Sequence, residues 1–230
     1  MNLFGSKAPN GKASMEEVIN SLSAALHMID DASADAPLAT LQERVSRGVL
    51  VLKETIVTSA EELAGMPSAE KEKEARDALV GVSDGLMRLE IMQSILTKMA
   101  RVDFETRKNI AAVFCYVVKK DVHGFASSYM VRHLALMQQL ISGYANSDLA
   151  LPCGKMLREC LVYERLHELV LVGSDGDLSP EFKSLFETHV INPNFEVAAD
   201  AFETLSAFLK FNKALVLRTF NPDEPASAEQ

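Results

Sequence analysis

The chain has 230 residues, 48% hydrophobic and 24% charged, values close to the globular average that exclude a largely disordered protein. Its 32 acidic side chains outnumber the 23 basic ones and leave a formal net charge of −9, so a nucleic acid is not an expected partner. Only 11 glycines and 8 prolines interrupt the chain, which favours long helices.

The predicted elements, taken in chain order, are helical. A first helix is expected after Ser14, a good N-cap residue, and a second at Pro37. Residues 58–77 are poor in apolar side chains and predict a loop and the solvated start of a helix. Ser179 and Pro180 predict the start of a late helix. Apolar residues at three- and four-residue steps define the buried faces: Val18, Leu22, Leu26 and Ile29; Leu41, Val45, Val49, Leu52 and Ile56; Leu86, Leu89, Met92, Ile95 and Met99; Met130, Leu134, Met137, Leu140 and Ile141. Because no segment alternates like a strand, we predict an all-α chain.

The cysteines and the absence of membrane signals predict a compartment. No apolar run approaches the roughly 18 residues of a membrane span, and the sequence opens with neither a signal peptide nor a myristoylation signal. Cys153 and Cys160 lie two helical turns apart, about 10.5 Å, beyond the roughly 7 Å that a disulfide spans. Together with Cys115, they are expected to be buried thiols in a soluble, cytoplasmic protein.

An internal repeat is suggested by segments that begin at Phe104, Leu149 and Phe195, about 45 residues apart. Apolar character recurs at most equivalent later positions: Ala111, Met156 and Phe202; Cys115, Cys160 and Ser206; Val118, Tyr163 and Leu209. Each helix is expected to follow a loop that contains Asp or Asn: Asp103, Asp148 and Asn194. This period is typical of armadillo and HEAT repeats, and predicts a right-handed superhelical solenoid. An irregular helical bundle is the alternative.

We expect one repeat domain over residues 14–220, preceded by a flexible N-terminus, 1–13, and followed by a disordered tail, 221–230. The last helix of each unit would line a concave surface, over 104–120, 148–163 and 195–210. The polar residues on those helices are of mixed charge, which suits a protein partner better than a polyanion: Arg107, Lys108, Lys155, Arg158, Glu159, Asp200 and Glu203.

No pattern of catalytic or ligand-binding residues stands out. A calcium loop starting at Asp175 would need Gly and Glu where the chain has Pro180 and Phe186. The five histidines lack paired ligand spacing, and no glycine-rich loop could cradle a phosphate. We therefore expect no metal, no cofactor and no enzymatic activity. A thiol enzyme using Cys115 or Cys153 is the alternative from another class.

Three stretches carry a resemblance to a known family. Residues 149–160 read Leu-Ala-Leu-Pro-Cys-Gly-Lys-Met-Leu-Arg-Glu-Cys, and residues 195–204 read Phe-Glu-Val-Ala-Ala-Asp-Ala-Phe-Glu-Thr. Residues 103–108 follow the pattern Asp-Phe-Glu-x-Arg-Lys. These stretches resemble motifs of the Mo25-like family, also called the calcium-binding protein 39 family, and the order and spacing agree over most of residues 1–219.

The resemblance implies an armadillo-like scaffold without catalytic activity. Such scaffolds bind the STRAD pseudokinase and sterile-twenty-type kinases through a concave surface and hold the kinase's regulatory helix in its active arrangement. The family continues with further helices where this chain ends, after Phe220, so only the N-terminal part of that surface is expected here. The alternative is a truncated or divergent helical-repeat protein with a different protein partner.

Candidate partner-binding residues follow from the resemblance and from the predicted concave surface: Phe195, Asp200, Glu203, Arg158, Glu159, Lys155 and Arg107. Arg158 and Glu159 could equally form a structural salt bridge between repeats. The apolar segment from Ala201 to Phe220 has no polar capping helix after it, so we expect this C-terminal repeat to self-associate or to need a partner.

Overall fold

The computed structural model describes four parts of the chain: residues 14–30, 37–58, 69–173 and 176–220. The predicted flexible N-terminus and disordered tail lie outside them. Within these parts the fold is all-helical, and the extended residues pair only in an isolated bridge between Val172 and Leu178. None of the described helices combines the length and the apolar character that crossing a membrane requires.

The chain divides into two compact units, Met1–Phe125 and Ala126–Gln230. The α-helices described in the first unit are α1 (Met15–Met28), α2 (Leu38–Lys53), α3 (Ala69–Arg88), α4 (Ile91–Lys98) and α5 (Phe104–Lys120). Those described in the second unit are α6 (Ala135–Ser142), α7 (Ser147–Cys160), α8 (Glu164–Leu171), α9 (Pro180–Ser184), α10 (Phe195–Phe211) and α11 (Lys213–Phe220). The single repeat domain expected over residues 14–220 stays a prediction.

The first unit is built on helices whose starts and buried faces agree with the sequence pattern. Ser14 Oγ accepts a hydrogen bond from the backbone of Glu17 at 3.3 Å, and the Glu17 carboxylate accepts one from the backbone of Ser14 at 2.8 Å. This reciprocal capping box satisfies two amide groups that a helix start leaves unpaired. Pro37 caps α2 as predicted, and the apolar faces predicted for α1 and α2 are buried where α1 packs on α2 and α2 on α5.

Two of the predicted apolar stripes are each divided between elements. Glu90 adopts a left-handed conformation with φ of 49°, so α3 ends at Arg88 and the chain turns before α4. The later stripe starts in a π-helical turn, Phe125–Met130, and continues in α6, with Leu134 exposed between them. The helical spacing of apolar residues does not reveal these breaks, because apolar residues on both sides of each break remain buried.

Helices α5, α7 and α10 begin in the same way, which supports the internal repeat. Their N-caps are Asp103, Asn146 and Asn194, and each side chain accepts a hydrogen bond from a backbone amide of the first turn. The prediction that Asp148 stands before the second helix is wrong, because Asp148 lies inside the first turn of α7. Positions 7, 10 and 14 after each cap are buried: Ile110, Val113 and Val117; Cys153, Met156 and Cys160; Ala201, Thr204 and Phe208.

When the three helices are aligned on their N-caps, the middle one moves by two residues relative to the alignment predicted from the sequence. Two residues correspond to about 200° around a helix. The buried face predicted for α10 is therefore wrong, since Phe202 and Leu209 are exposed. In α5 the first predicted position, Phe104, is also exposed, at 63%. The later positions Ala111 and Cys115 are buried because α5 is covered on more than one side.

Candidate functional site

A largely buried ion pair joins α7 to α10 in the second unit. Arg158 on α7 donates to both carboxylate oxygens of Asp200 on α10, from Nη2 to Oδ1 at 2.9 Å and from Nη1 to Oδ2 at 3.1 Å. Nη1 also donates to Oγ1 of Thr204 at 2.6 Å. The Arg158 and Asp200 side chains are only 19% and 10% exposed. Two-point contact of this kind fixes orientation as well as distance, so the pair sets how α10 lies on α7.

Tyr144 completes this network from the 3₁₀ turn Gly143–Ala145 that precedes α7. Its hydroxyl donates to Oδ2 of Asp200 at 2.6 Å and lies 2.7 Å from Oγ1 of Thr204. Burial, followed by the charge of Asp200, raises the pKa of Tyr144 well above its ordinary value, so the hydroxyl stays protonated and able to donate. We call Tyr144, Arg158, Asp200 and Thr204 the polar network.

Gly154 lets the polar network form so close to α7. A Cβ atom built on this residue would overlap the Asp200 carboxylate and the Tyr144 hydroxyl. Gly143 has a similar role, because a Cβ there would overlap Cys153. The Cys153–Gly154 step of the family-like motif thus has a packing explanation: Cys153 packs against Gly143, and Gly154 leaves space for Asp200 and Tyr144.

The cysteines show no feature of a reactive thiol. All three are buried, as predicted. Burial, with a smaller effect of the Asp200 charge, raises the pKa of the Cys153 thiol to about 12. A thiol with that pKa carries almost no thiolate at neutral pH, and the thiolate is the nucleophile. Among the described residues, no group of three or more His, Cys, Asp or Glu side chains is placed to hold a metal ion.

An open groove of about 500 Å³ lies on the side of α10 that faces away from the core. The groove is lined by two phenylalanines, three small residues and three charged residues: Arg158, Ala199, Phe202, Glu203, Ser206, Ala207, Lys210 and Phe211. Phe202 is 62% exposed, and Phe195, one α10 turn before Ala199, is 81% exposed. We call this groove together with Phe195 the outer face of α10.

The structure brings three of the predicted site residues together. Arg158 and Asp200 meet in the polar network, and Glu203 reaches Arg158, with Oε1 3.5 Å from Nε. Phe195 lies at the first turn of the same helix. The structural salt bridge considered for Arg158 is made with Asp200.

The other predicted residues lie apart from this cluster. Lys155 is exposed and Glu159 is half-buried, both on α7, and Arg107 is half-buried on α5 in the first unit. Sequence reasoning missed Tyr144 and Gly154, whose roles depend on a helix about 50 residues later in the chain. It also placed Phe202 in the core. The phase of Val197, Ala201 and Phe208 was the signal that could have placed Phe202 outside.

Fold and groove define the class: an all-helical protein with an exposed apolar surface of the kind that takes up a partner. The model of the family described as Mo25-like matches residues 3–222, and the chain belongs to this family. The resemblance seen in the sequence motifs is thereby confirmed.

Several relatives match over part of their length. A protein named "Degreening-related gene dee76 protein" from Auxenochlorella protothecoides is 29% identical over 76% of this chain and 50% of its own. "Calcium-binding protein 39-like" from Homo sapiens is 25% identical over 76% of this chain and 47% of its own. "MO25-like protein 2" from Caenorhabditis elegans is 26% identical over 54% of this chain and 35% of its own. The chain spans about half the length of the first two relatives.

Proposed function

We propose that this protein is a non-enzymatic, armadillo-like scaffold that binds and regulates a protein kinase or pseudokinase of the STRAD or sterile-twenty type in the cytoplasm. The observation that carries the proposal is the outer face of α10, where Phe195, Phe202 and Phe211 are exposed beside a groove. Family membership supports the scaffold role.

Exposed aromatic side chains are well suited to form the centre of a protein interface. Phenylalanine offers a large apolar area with few rotatable bonds, so ordering it costs little conformational entropy when a partner covers it. The charged rim of Glu203, Lys210 and Arg158 supplies orientation around this apolar centre.

The polar network supports the same function by holding α10 in position. Because Arg158 and Asp200 hold α10 on α7, the outer face is already in place before a partner arrives, which lowers the entropic cost of binding. In this proposal Arg158 and Asp200 act mainly by positioning, while Phe195 and Glu203 contact the partner. Lys155 and Glu159 on α7 and Arg107 on α5 remain proposed contacts.

The proposal is tested by measuring binding of the full chain to purified STRAD and sterile-twenty-type kinase domains. Phe195→Ala and Phe202→Ala should each weaken binding by tenfold or more, which corresponds to about 1.4 kcal/mol or more. Ile191→Ala is the control, since Ile191 is 73% exposed but lies outside the groove and outside α10. The proposal fails if no kinase domain binds, or if the three variants behave alike. Capture of a different protein through the same phenylalanines would favour the divergent-scaffold alternative.

Self-association through the C-terminal repeat is the second part of the proposal. Phe211, Leu217 and Phe220 are exposed near the end of the described chain. Light scattering across a hundredfold range of protein concentration should show the mass rise above that of one chain. A constant monomer mass at the highest concentration would contradict it.

A further inference from the structure

The groove on α10 carries opposite charge at its two ends. At one end, Arg158 is neutralised by Asp200 through two hydrogen bonds, and Glu203 lies beside the pair with its side chain 67% exposed. The three formal charges add to one excess negative charge, and Glu203 presents it to the groove. This end therefore favours a cation.

Lys210 lines the other end and is exposed. Among the described residues, no carboxylate lies within ion-pair distance of its ammonium. Seven residues of helix separate Lys210 from Glu203, which places their Cα atoms about 10.5 Å apart along one side of α10. This end favours an anion.

The groove lining between the two charges is uncharged. Ser206 and Ala207 lie there in sequence, and the rings of Phe202 and Phe211 also line the groove. Small side chains leave space for an apolar group to lie against the helix, where it would be shielded from water by the two rings.

We propose that the groove selects a partner segment that carries a basic side chain and an acidic side chain about two helical turns, or roughly 11 Å, apart, with an apolar group between them. The basic group faces Glu203 and the acidic group faces Lys210. This inference rests on the proposed function, because the segment belongs to the kinase or pseudokinase partner. It adds the chemistry by which the groove distinguishes one partner from another.

Charge reversal tests the polarity with the kinase domain that binds best. Glu203→Lys and Lys210→Glu should each weaken binding by fivefold or more at low salt, with smaller effects at high salt, since each places like charges together. Glu187→Lys and Lys213→Glu are matched controls, because both residues are exposed charges of the second unit outside the groove. Glu203→Gln and Lys210→Met remove the charges without reversal and serve if a reversal perturbs the fold. The polarity is refuted if the two reversals act in opposite directions, or no more strongly than the controls.

A small probe tests the same polarity without any kinase. The zwitterion 8-aminooctanoate carries an ammonium and a carboxylate joined by an apolar chain whose extended length is close to the Cα separation of Glu203 and Lys210, about 10.5 Å. In NMR titrations it should shift the backbone amides of residues 203–210 at several-fold lower concentration than octanoate or octylamine. Glu203→Lys and Lys210→Glu should abolish that advantage, and Glu187→Lys should keep it.

The two experiments distinguish a failure of the charge polarity from a failure of the proposed function. Equal effects of the zwitterion and the single ions would overturn the charge polarity, even if a kinase binds. A selective zwitterion effect without kinase binding would instead overturn the proposed function and leave the polarity standing.

Discussion

Arg158 and Asp200 hold α10 on α7 through a two-point ion pair. Each charge is largely buried, and each is compensated by the other and by the hydroxyls of Tyr144 and Thr204. Removing one partner of such a pair leaves an uncompensated charge in a poorly solvated place, which typically costs about 3–5 kcal/mol. At the residue scale, therefore, the network holds α10 on α7, and in the proposed function its exposed neighbours contact the partner.

Gly154 offers a direct test of that close packing. Gly154→Ala should destabilise the protein by about 3 kcal/mol or more, because the added methyl overlaps Asp200 and Tyr144. Gly81→Ala is the control, since no atom lies within 4 Å of a Cβ there, and alanine in an exposed helix should stabilise by about 0.5–1 kcal/mol. Urea denaturation measures both. Equal, small effects of the two substitutions would contradict the close approach.

Tyr144→Phe tests the hydrogen bonds alone, since it keeps the ring and removes the hydroxyl. Asp200 and Thr204 would each lose a partner, so we expect a loss of about 1–3 kcal/mol in the free energy of unfolding. Tyr116→Phe, at a half-buried position on α5, is the control and should change stability by less than about 0.5 kcal/mol. A Tyr144→Phe protein as stable as this control would show that the hydroxyl contributes nothing.

At the scale of the element, α10 has two apolar sides with different roles. Its inner side, Val197, Ala201 and Phe208, is buried in the second unit. The Phe208 ring meets the rings of Phe182 and His167 edge-on, with centroids 5.3 Å away in both cases. Its outer side carries exposed rings that a partner can cover. If the proposed function holds, α10 therefore connects the core of the second unit to the partner interface.

The two sides should respond differently to the same substitution. Phe208→Ala should cost about 3–5 kcal/mol of stability, because it leaves a cavity among packed rings. Phe202→Ala should change stability by less than about 1 kcal/mol, since its ring is mostly in solvent. Thermal and urea unfolding of the two variants make the comparison. Similar losses from both would mean that Phe202 packs in the core after all.

At the scale of the whole molecule, the two units differ in their buried titratable groups. His167 and His189 are both buried, and both belong to the second unit. Burial lowers the pKa of each imidazole, because a charged ring is poorly solvated there. In the first unit, hydrogen bonds from Thr106 lower the pKa of Asp103.

These shifts predict that acid destabilises the second unit before the first. The unfolded chain binds protons to the two histidines more readily than the folded unit does. Their contribution to stability is therefore complete above about pH 6.5, the ordinary His value, and is lost as the pH falls below it. The contribution of Asp103 is lost only below about pH 3.9, its ordinary value.

Urea unfolding midpoints measured from pH 7.5 to pH 5 test this order. The midpoint should fall over that range, and His167→Phe and His189→Phe should each flatten the dependence. Identical pH profiles for all three proteins would refute the role of the buried histidines.

Local and periodic features of this protein were predictable from the sequence. The caps at Ser14 and Ser179, the helical class and the buried thiols depend on residue type and on neighbours within one or two turns, and the structure agrees with each of them. The family was recognisable because the motifs at 149–160 and 195–204 keep the spacing of residues that pack together.

Only the tertiary structure decided which side of α10 is buried and what Arg158 contacts. Period cannot choose between two apolar stripes on one helix, because the choice depends on which stripe the neighbouring helices cover, and this put Phe202 on the wrong side. Asp200 is 42 residues from Arg158 in the chain, so no local sequence pattern predicts their ion pair. The sequence by itself thus determined the helices and the family, since both are written in short-range patterns. Packing between distant segments determined the groove and the network behind it, because those depend on contacts that exist only once the chain has folded.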